Sequence, residues 1–219
     1  MASQPTPRAP LSRERVLRAA LVLADTGGIE SLTMRKLGQE LGVEAMSLYN
    51  HVANKDDILD GIVDLVFGEI TLPLDGAAWK PAMRWRAFSA RDALLRHPWA
   101  TSLMQSRTKP GAATLRHHDS VLGSLRKAGF SLVMAAHAVS VIDGYLYGFA
   151  LQQMNLPLQS PDQVAEVGEN MLRQLAGEYP HLAEMITEHA MKPGYDYGEE
   201  FEFGLDLILD GVERHRDIG

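Results

Sequence analysis

The residues able to do chemistry fall into two groups. His97, the run His117-His118-Asp119 and Asp143 are scattered through the second half of the chain. Histidine and aspartate in that order could serve a helical, metal-dependent phosphohydrolase, which is one reading. Three consecutive residues on a helix, however, point in directions about 100° apart, so the run cannot converge on one ion. The other group is compact: Ala45, Met46, Ser47, Tyr49, Asn50 and His51. Small apolar, hydroxyl, amide and aromatic groups side by side suit contact with base edges and phosphate oxygens, not bond cleavage. With no cysteine there is no thiolate nucleophile and no disulfide framework.

The compact group needs a scaffold, and the hydrophobic spacing supplies one. Ser12 caps a helix whose stripe is Val16, Leu17, Ala20, Leu21, Leu23 and Ala24, and Gly27-Gly28 stops it. Thr33 caps a second, short helix with an inner face of Met34, Leu37 and Leu41, which ends at Gly42. A third helix, Glu44 to His51, follows at once, and burial of Leu37, Leu41, Val43, Leu48 and Val52 leaves the compact group facing outward. Two short helices joined by a Gly turn after a longer helix form the helix-turn-helix pattern. Asn54 starts a fourth helix, with Asp56 and Asp57 in its first turn and Ile58, Leu59, Ile62, Val63 and Val66 along one side. Beyond Gly76 the pattern predicts helices over 79–96, 98–106, 111–128, 131–154, 161–177, 181–189 and 197–215, and no alternating strand.

Composition is that of a globular protein: 219 residues, 46% hydrophobic and 22% charged. No run of about 18 apolar residues and no signal-peptide pattern in MASQPTPRAP is present, so a soluble, cytoplasmic protein without membrane contact is expected. A net charge of −7 runs against nucleic-acid binding. Its distribution softens the objection, because residues 1–58 hold seven basic and seven acidic side chains and the whole negative excess follows them. The organisation expected is a disordered arm over 1–10, a helix-turn-helix domain over 11–58 and an effector-binding and dimerisation domain over 59–219.

The segment TMRKLGQELGVEAMSLYNHVANKDDIL resembles the tetracycline-repressor (TetR) family: a Thr-x-Arg start, a Leu-Gly-Val turn, a Leu-Tyr-x-His recognition helix and a following Asn-Lys. The resemblance implies that Thr33, Tyr49, His51 and Lys55 meet phosphates, Arg35 a base edge or phosphate, and Ala45, Met46 and Ser47 bases. Asn50 stands where the tetracycline repressor has a bulky aromatic and Ala45 where it has an amide, so the operator sequence is expected to differ. The implied fold is all-α, an N-terminal three-helix bundle with the helix-turn-helix plus a larger helical domain for ligand binding and dimerisation. The implied function is a regulator, most simply a repressor, that binds a palindromic DNA operator as a homodimer and is released by a small hydrophobic effector; it is not an enzyme.

The pieces ALLRHP, LRKAGFS and FEFGLDLILDGVERH extend the resemblance, which places the last helix and an earlier one in a four-helix bundle with a second subunit. The residues agree. Phe201, Leu205, Ile208 and Val212 form a stripe widened by Phe203, Leu207 and Leu209, and Val141, Gly144 and Gly148 permit close approach of backbones. For the effector site the large residues of the central helices are the candidates: Trp85, Phe88, Trp99, Met104, His118, Met134, His137, Tyr145 and Phe149, with His118 expected to face inward in step with Leu115, Leu122 and Leu125. Leu103 and Met104 lie where the tetracycline repressor supplies a histidine ligand to magnesium, and Gln152 lies about where it has glutamate. A metal-free, mainly hydrophobic organic effector and no cofactor are therefore expected. A regulator answering to a protein partner is the remaining alternative.

Overall fold

The computed structural model describes residues 10–74, 76–156, 161–175 and 177–216. All but one residue of the predicted N-terminal arm lie outside them. Helices begin where a side-chain oxygen takes an otherwise unmet N–H. Ser12 Oγ accepts from Arg15 N at 3.2 Å to start α1 (Arg13–Gly27), and Thr33 Oγ1 accepts from Lys36 N at 3.2 Å to start α2 (Met34–Leu41). Asn54 Oδ1 accepts from Asp57 N at 2.9 Å to start α4 (Lys55–Glu69). Helix α3 is shorter than predicted, Ala45–Leu48, and residues 49–51 complete it as a hydrogen-bonded turn. A 3-10 turn, Ile29–Ser31, fills the α1–α2 connection.

The remaining elements are α5 (Trp79–Arg96), α6 (Ala100–Ser106), α7 (Ala112–Lys127), α8 (Leu132–Asn155), α9 (Pro161–Leu175), α10 (Pro180–Met185) and α11 (Glu200–Arg214), with a π turn at Ile186–Ala190 and a 3-10 turn at Tyr197–Glu199. No strand occurs among the described residues. Val16, Leu37, Leu48, Ile58 and Ile62 close the N-terminal core, and that core is continuous with the one formed by α5, α7, α8 and α11. Helix α4 belongs to both, packing on α1 at one end and on α7 at the other.

Helix α8 is the one element among the described residues that bears on the membrane reading. Its 24 residues include a window of mean hydropathy 1.3, long and apolar enough to cross a bilayer by length and composition. Its buried stripe (Met134, Ala135, Ala138, Ile142, Leu146, Phe149, Ala150) instead packs against α5, α7 and α11, and it carries Asp143 in an ion pair with Arg86. Its apolar content serves the core on that stripe, while Leu132, Val133, Val141 and Leu151 lie exposed on the other side.

Candidate nucleic-acid interface and effector site

The turn between α2 and α3 is fixed by two glycines. Gly42 takes φ 68° in the left-handed region, where its N–H reaches the carbonyls of Gln39 and Gly38 and closes α2. Gly38 is needed for space: a Cβ there would lie 2.9 Å from the Val43 carbonyl oxygen and 3.1 Å from Ala45 N. Leu37, Leu41, Leu48 and Val52 are buried beneath that turn. All nine candidate DNA contacts stay outside. Thr33, Arg35, Met46, Tyr49, Asn50 and Lys55 are exposed, and Ala45, Ser47 and His51 are half-buried. Met46 is 75% exposed, too much for a side chain placed by burial.

This face is tied to the rest through α4. Arg13 makes a two-pronged contact with Asp57 (3.0 and 2.8 Å), and Ala53 N–H donates to the same carboxylate. Burial alone would raise the Asp57 carboxyl, but these donors outweigh it and hold it below its ordinary range. Further along, Arg107 binds Asp56 and Asp60, and Asp64 accepts from Ala113 N, Thr114 N and Thr114 Oγ1, thereby capping α7. A second tie joins α1 directly to the C-terminal domain. His97 lies between Asp25 Oδ1 (2.7 Å) and Glu69 (3.2 Å), and Trp99 Nε1 donates to the same Asp25 oxygen at 2.7 Å.

The structure divides the effector candidates. Phe88, Tyr145 and Phe149 meet in one aromatic cluster with Phe201 and Tyr197, whose rings stack or tilt at 4.9 to 5.7 Å. The Arg91 guanidinium lies over Phe149 and Phe201. Beside this cluster an open recess of about 420 Å³ is lined by Leu151, Gln152, Asn155, Leu156 and Tyr197. Trp99 is buried, but at the Asp25 tie. Met134 is buried near the start of α8, and Met104 is half-buried on α6.

Three expectations are corrected. His118 is exposed, as is Leu115, because the buried stripe of α7 runs one residue earlier, through Thr114, His117, Val121 and Leu125. Both phases have helical spacing, and the Asp64 cap sets which one faces inward. His137 is exposed on α8, and Trp85 is 71% exposed on α5.

Sequence reasoning missed a polar cluster in the core. Arg86 is only 1% exposed and His117 is fully buried. Arg86 Nε and Nη2 donate to His117 Nε2 at 3.2 and 3.1 Å, and Nη2 also lies 2.6 Å from Asp143 Oδ1. Since Nε2 accepts, the neutral imidazole carries its proton on Nδ1. Burial, then the Arg86 charge, then His118, push the His117 pKa down to about 3. Burial, followed by the Asp143 charge, pushes neighbouring Tyr147 up to about 12. The available signal was Arg86 itself, in phase with Ala82, Met83 and Ala90 on the buried stripe of α5. The phosphohydrolase candidates are thereby divided: His97 is held by Asp25 and Glu69, whereas His117 and Asp143 are both held on Arg86, and among the described residues no group of three or more histidines and carboxylates is placed to hold a metal ion.

The dimerisation candidates divide as well. Val141, Gly144 and Gly148 are exposed on α8, with open space at both glycines. On α11, by contrast, Phe201, Leu205 and Val212 are buried within the subunit and Ile208 is half-buried. The outward apolar residues are Phe203 (66% exposed) and Leu207 (57%). The stripe was read correctly as apolar but assigned to the wrong side, because α11 is apolar on two sides and the α5–α8 core takes the stronger one.

A helical chain that presents an exposed Gly-turned helix pair, backed by a larger helical region with a second apolar outer face, has the build of a DNA-binding regulator. Comparison with known proteins gives the family. Residues 16–62 match the bacterial regulatory proteins of the tetR family, and 72–216 match the tetracyclin repressor-like C-terminal domain. The chain is 33% identical over 217 residues to the HTH-type transcriptional repressor DrrR1 of Streptomyces coeruleorubidus (94% of this chain, 79% of that one). It is also 33% identical over 211 residues to the class C tetracycline repressor of Escherichia coli (94% and 92%). Its fold matches the Streptomyces coelicolor TetR family protein ActR in complex with actinorhodin, with TM-score 0.80, 26% identity and coverage of 96% and 99%. The chain belongs to the TetR family. It is a ligand-responsive, DNA-binding transcriptional repressor that works as a homodimer.

Proposed function

We propose that two helix-turn-helix faces, in a dimer made by the outer faces of α8 and α11, enter successive major grooves about 34 to 36 Å apart. Thr33, Tyr49, His51 and Lys55 hold phosphates; Arg35, Ala45, Met46, Ser47 and Asn50 meet bases. The effector enters between α4, α5, α7 and α8 and moves α4, which changes the spacing of the two faces. One observation carries this reading: α4 packs on both regions along its length, with an ion pair from Asp57 to Arg13 at one end and the Asp64 hydrogen bonds and the Phe67 ring contact to α7 at the other. The division between DNA-binding and effector-binding regions, drawn near residue 58, then falls within α4. The ligand need only prefer one of two dimer shapes, with a coupling of about 1 to 3 kcal/mol. The chain catalyses no reaction in this reading and acts in the cytoplasm, where the operator is.

The test is selection of randomised duplexes by gel shift at two salt concentrations. A palindrome should be enriched, and Arg35→Ala and Tyr49→Ala should lose it while keeping their helical content, since both residues are exposed. Failure to enrich any duplex at either salt would defeat the reading.

A further inference from the structure

The Arg86–His117–Asp143 cluster is poorly explained as a device for stability. A buried ion pair often contributes no more than apolar residues of the same volume would, and buried donors left without acceptors cost free energy outright. Among the described residues the cluster leaves two donors, Arg86 Nη1 and His117 Nδ1, without a hydrogen-bond partner, and one acceptor, Asp143 Oδ1, which is engaged only by its ion pair to Arg86 Nη2 at 2.6 Å. The imidazole occupies the Nε–Nη2 edge of the guanidinium, which leaves Nη1 apart from it. Each unmet nitrogen is a donor, so the complement is an acceptor oxygen.

Charge narrows the class further. Asp143 already neutralises Arg86 and His117 is neutral, so the cluster has no net charge. An entering anion would leave one unbalanced charge in the core, and burial opposes the compensating protonation of His117. The surroundings are apolar and aromatic: Phe67 packs on His117 at 5.3 Å, and Tyr147 follows one turn after Asp143 on α8. The Asp143 side chain is 16% exposed, so the cluster reaches the surface on the α8 flank. We propose that Arg86 and His117 form the polar end of the effector site and receive an uncharged carbonyl oxygen carried on an apolar ring frame, with Asp143 as the positioning residue that balances and aims Arg86. This rests on the effector site proposed above and names the chemistry it selects.

The experiment uses the full-length homodimer and two matched pairs, fluorenone with fluorene and 1,4-naphthoquinone with naphthalene, with binding followed by quenching of tryptophan fluorescence. The absence of cysteine removes thiol addition to the quinone as a complication. Each carbonyl compound should bind about tenfold or more tightly than its hydrocarbon, the value of one hydrogen bond to a charged donor. In the double variant Arg86→Met/Asp143→Leu, which strands neither charge, that preference should fall to within about twofold while hydrocarbon binding is kept. A His117→Phe variant should lose part of it. Naphthalene-2-carboxylate should bind the wild type no better than naphthalene. No preference in the wild type, a preference that survives the double variant, a carboxylate that binds best, or no binding of any probe would each overturn the inference. Operator gel shifts on the same samples separate the two readings: wild type that holds its operator while showing no carbonyl preference defeats only this one.

Discussion

His117 makes the acid stability of the protein calculable. Its folded-state pKa is pushed down to about 3 from an ordinary value of 6.5, so below pH 6.5 the unfolded chain binds a proton at this residue that the folded chain refuses. The contribution is therefore fully present above pH 6.5 and is lost as pH falls from there toward 3. Integrating the two titrations gives a loss of about 0.8 kcal/mol by pH 6 and about 2 kcal/mol by pH 5, relative to pH 8, per protomer. The figure at pH 5 is insensitive to the folded value so long as that lies below about 4. The perturbation is His117→Gln, whose amide oxygen can still accept from Arg86 but does not titrate. Urea unfolding of both proteins at pH 5, 6, 7 and 8, at one fixed protomer concentration because the protein is a dimer, gives the comparison. The carboxylates of Asp57 and Glu69, held low by Arg13 and by Arg96 with His97 against the opposing effect of burial, lose their contributions at still lower pH in both proteins and cancel. The stability difference, wild type minus variant, should fall by about 2 kcal/mol between pH 8 and pH 5. Parallel curves would mean that His117 titrates in the folded protein as it does in water, and the desolvated cluster would be refuted.

Three further outcomes follow from the packing. Gly38→Ala places a methyl group against the Val43 carbonyl and the Ala45 backbone, which must move apart; a cost of about 1 to 3 kcal/mol and a lower melting temperature are expected, and an unchanged melt would contradict the close α2–α3 approach. Phe203→Glu with Leu207→Glu puts two charges on the outer face of α11 and should convert the dimer to helical monomers in sedimentation, whereas a persistent dimer would place the interface elsewhere. Asp25→Ala strands His97 Nδ1 and Trp99 Nε1; the last turns of α1 should lose hydrogen-exchange protection, at a cost of about 1 to 3 kcal/mol, while α8 keeps its own. Equal protection in α1 would show that the tie does not hold the domain.

The features legible in the sequence were those fixed by local chemistry. Ser12, Thr33 and Asn54 announced their helices because a cap acts on an N–H two or three residues away. The outward face of α2 and α3 was legible for a related reason: Leu37, Leu41, Leu48 and Val52 so fill the short helices' inner sides that only one face is left over. Helix phase failed where two apolar stripes compete. On α7, Leu115-His118-Leu122 and Thr114-His117-Val121 are both helical in spacing, and the choice depends on Asp64, fifty residues earlier in sequence for Thr114. On α11, Phe201-Leu205 and Phe203-Leu207 compete in the same way, and α5 decides, through Trp79 with Glu213, Arg84 with Asp206 and Glu202, and Lys80 with Asp210. Long-range partners of that kind leave no periodic trace. Arg86 left one, a charge on an apolar stripe, but its meaning lay in His117 and Asp143 on two other helices.

The same long-range contacts bear on how a ligand could act. Helix α4 is held by Arg13 on Asp57, by Arg107 on Asp56 and Asp60, and by its Asp64 cap on α7, so that these carboxylates are engaged along its length and Phe67 lies one turn beyond Asp64. Exchanging or straining one such partly exposed contact involves free energy of the order of 1 kcal/mol, comparable to a typical allosteric coupling of about 1 to 3 kcal/mol. A ligand that displaces Phe67 or His117 therefore has no need to unfold anything in order to change the relative stability of two α4 positions. The Asp25–His97–Glu69 contact opposes free rotation of the DNA-binding domain, because it fixes the C-terminal ends of both α1 and α4 to the junction of α5 and α6. With those ends pinned together, a ligand-driven shift of the rest of α4 would become a swing of the α2–α3 face, the component of motion to which spacing across two major grooves is sensitive.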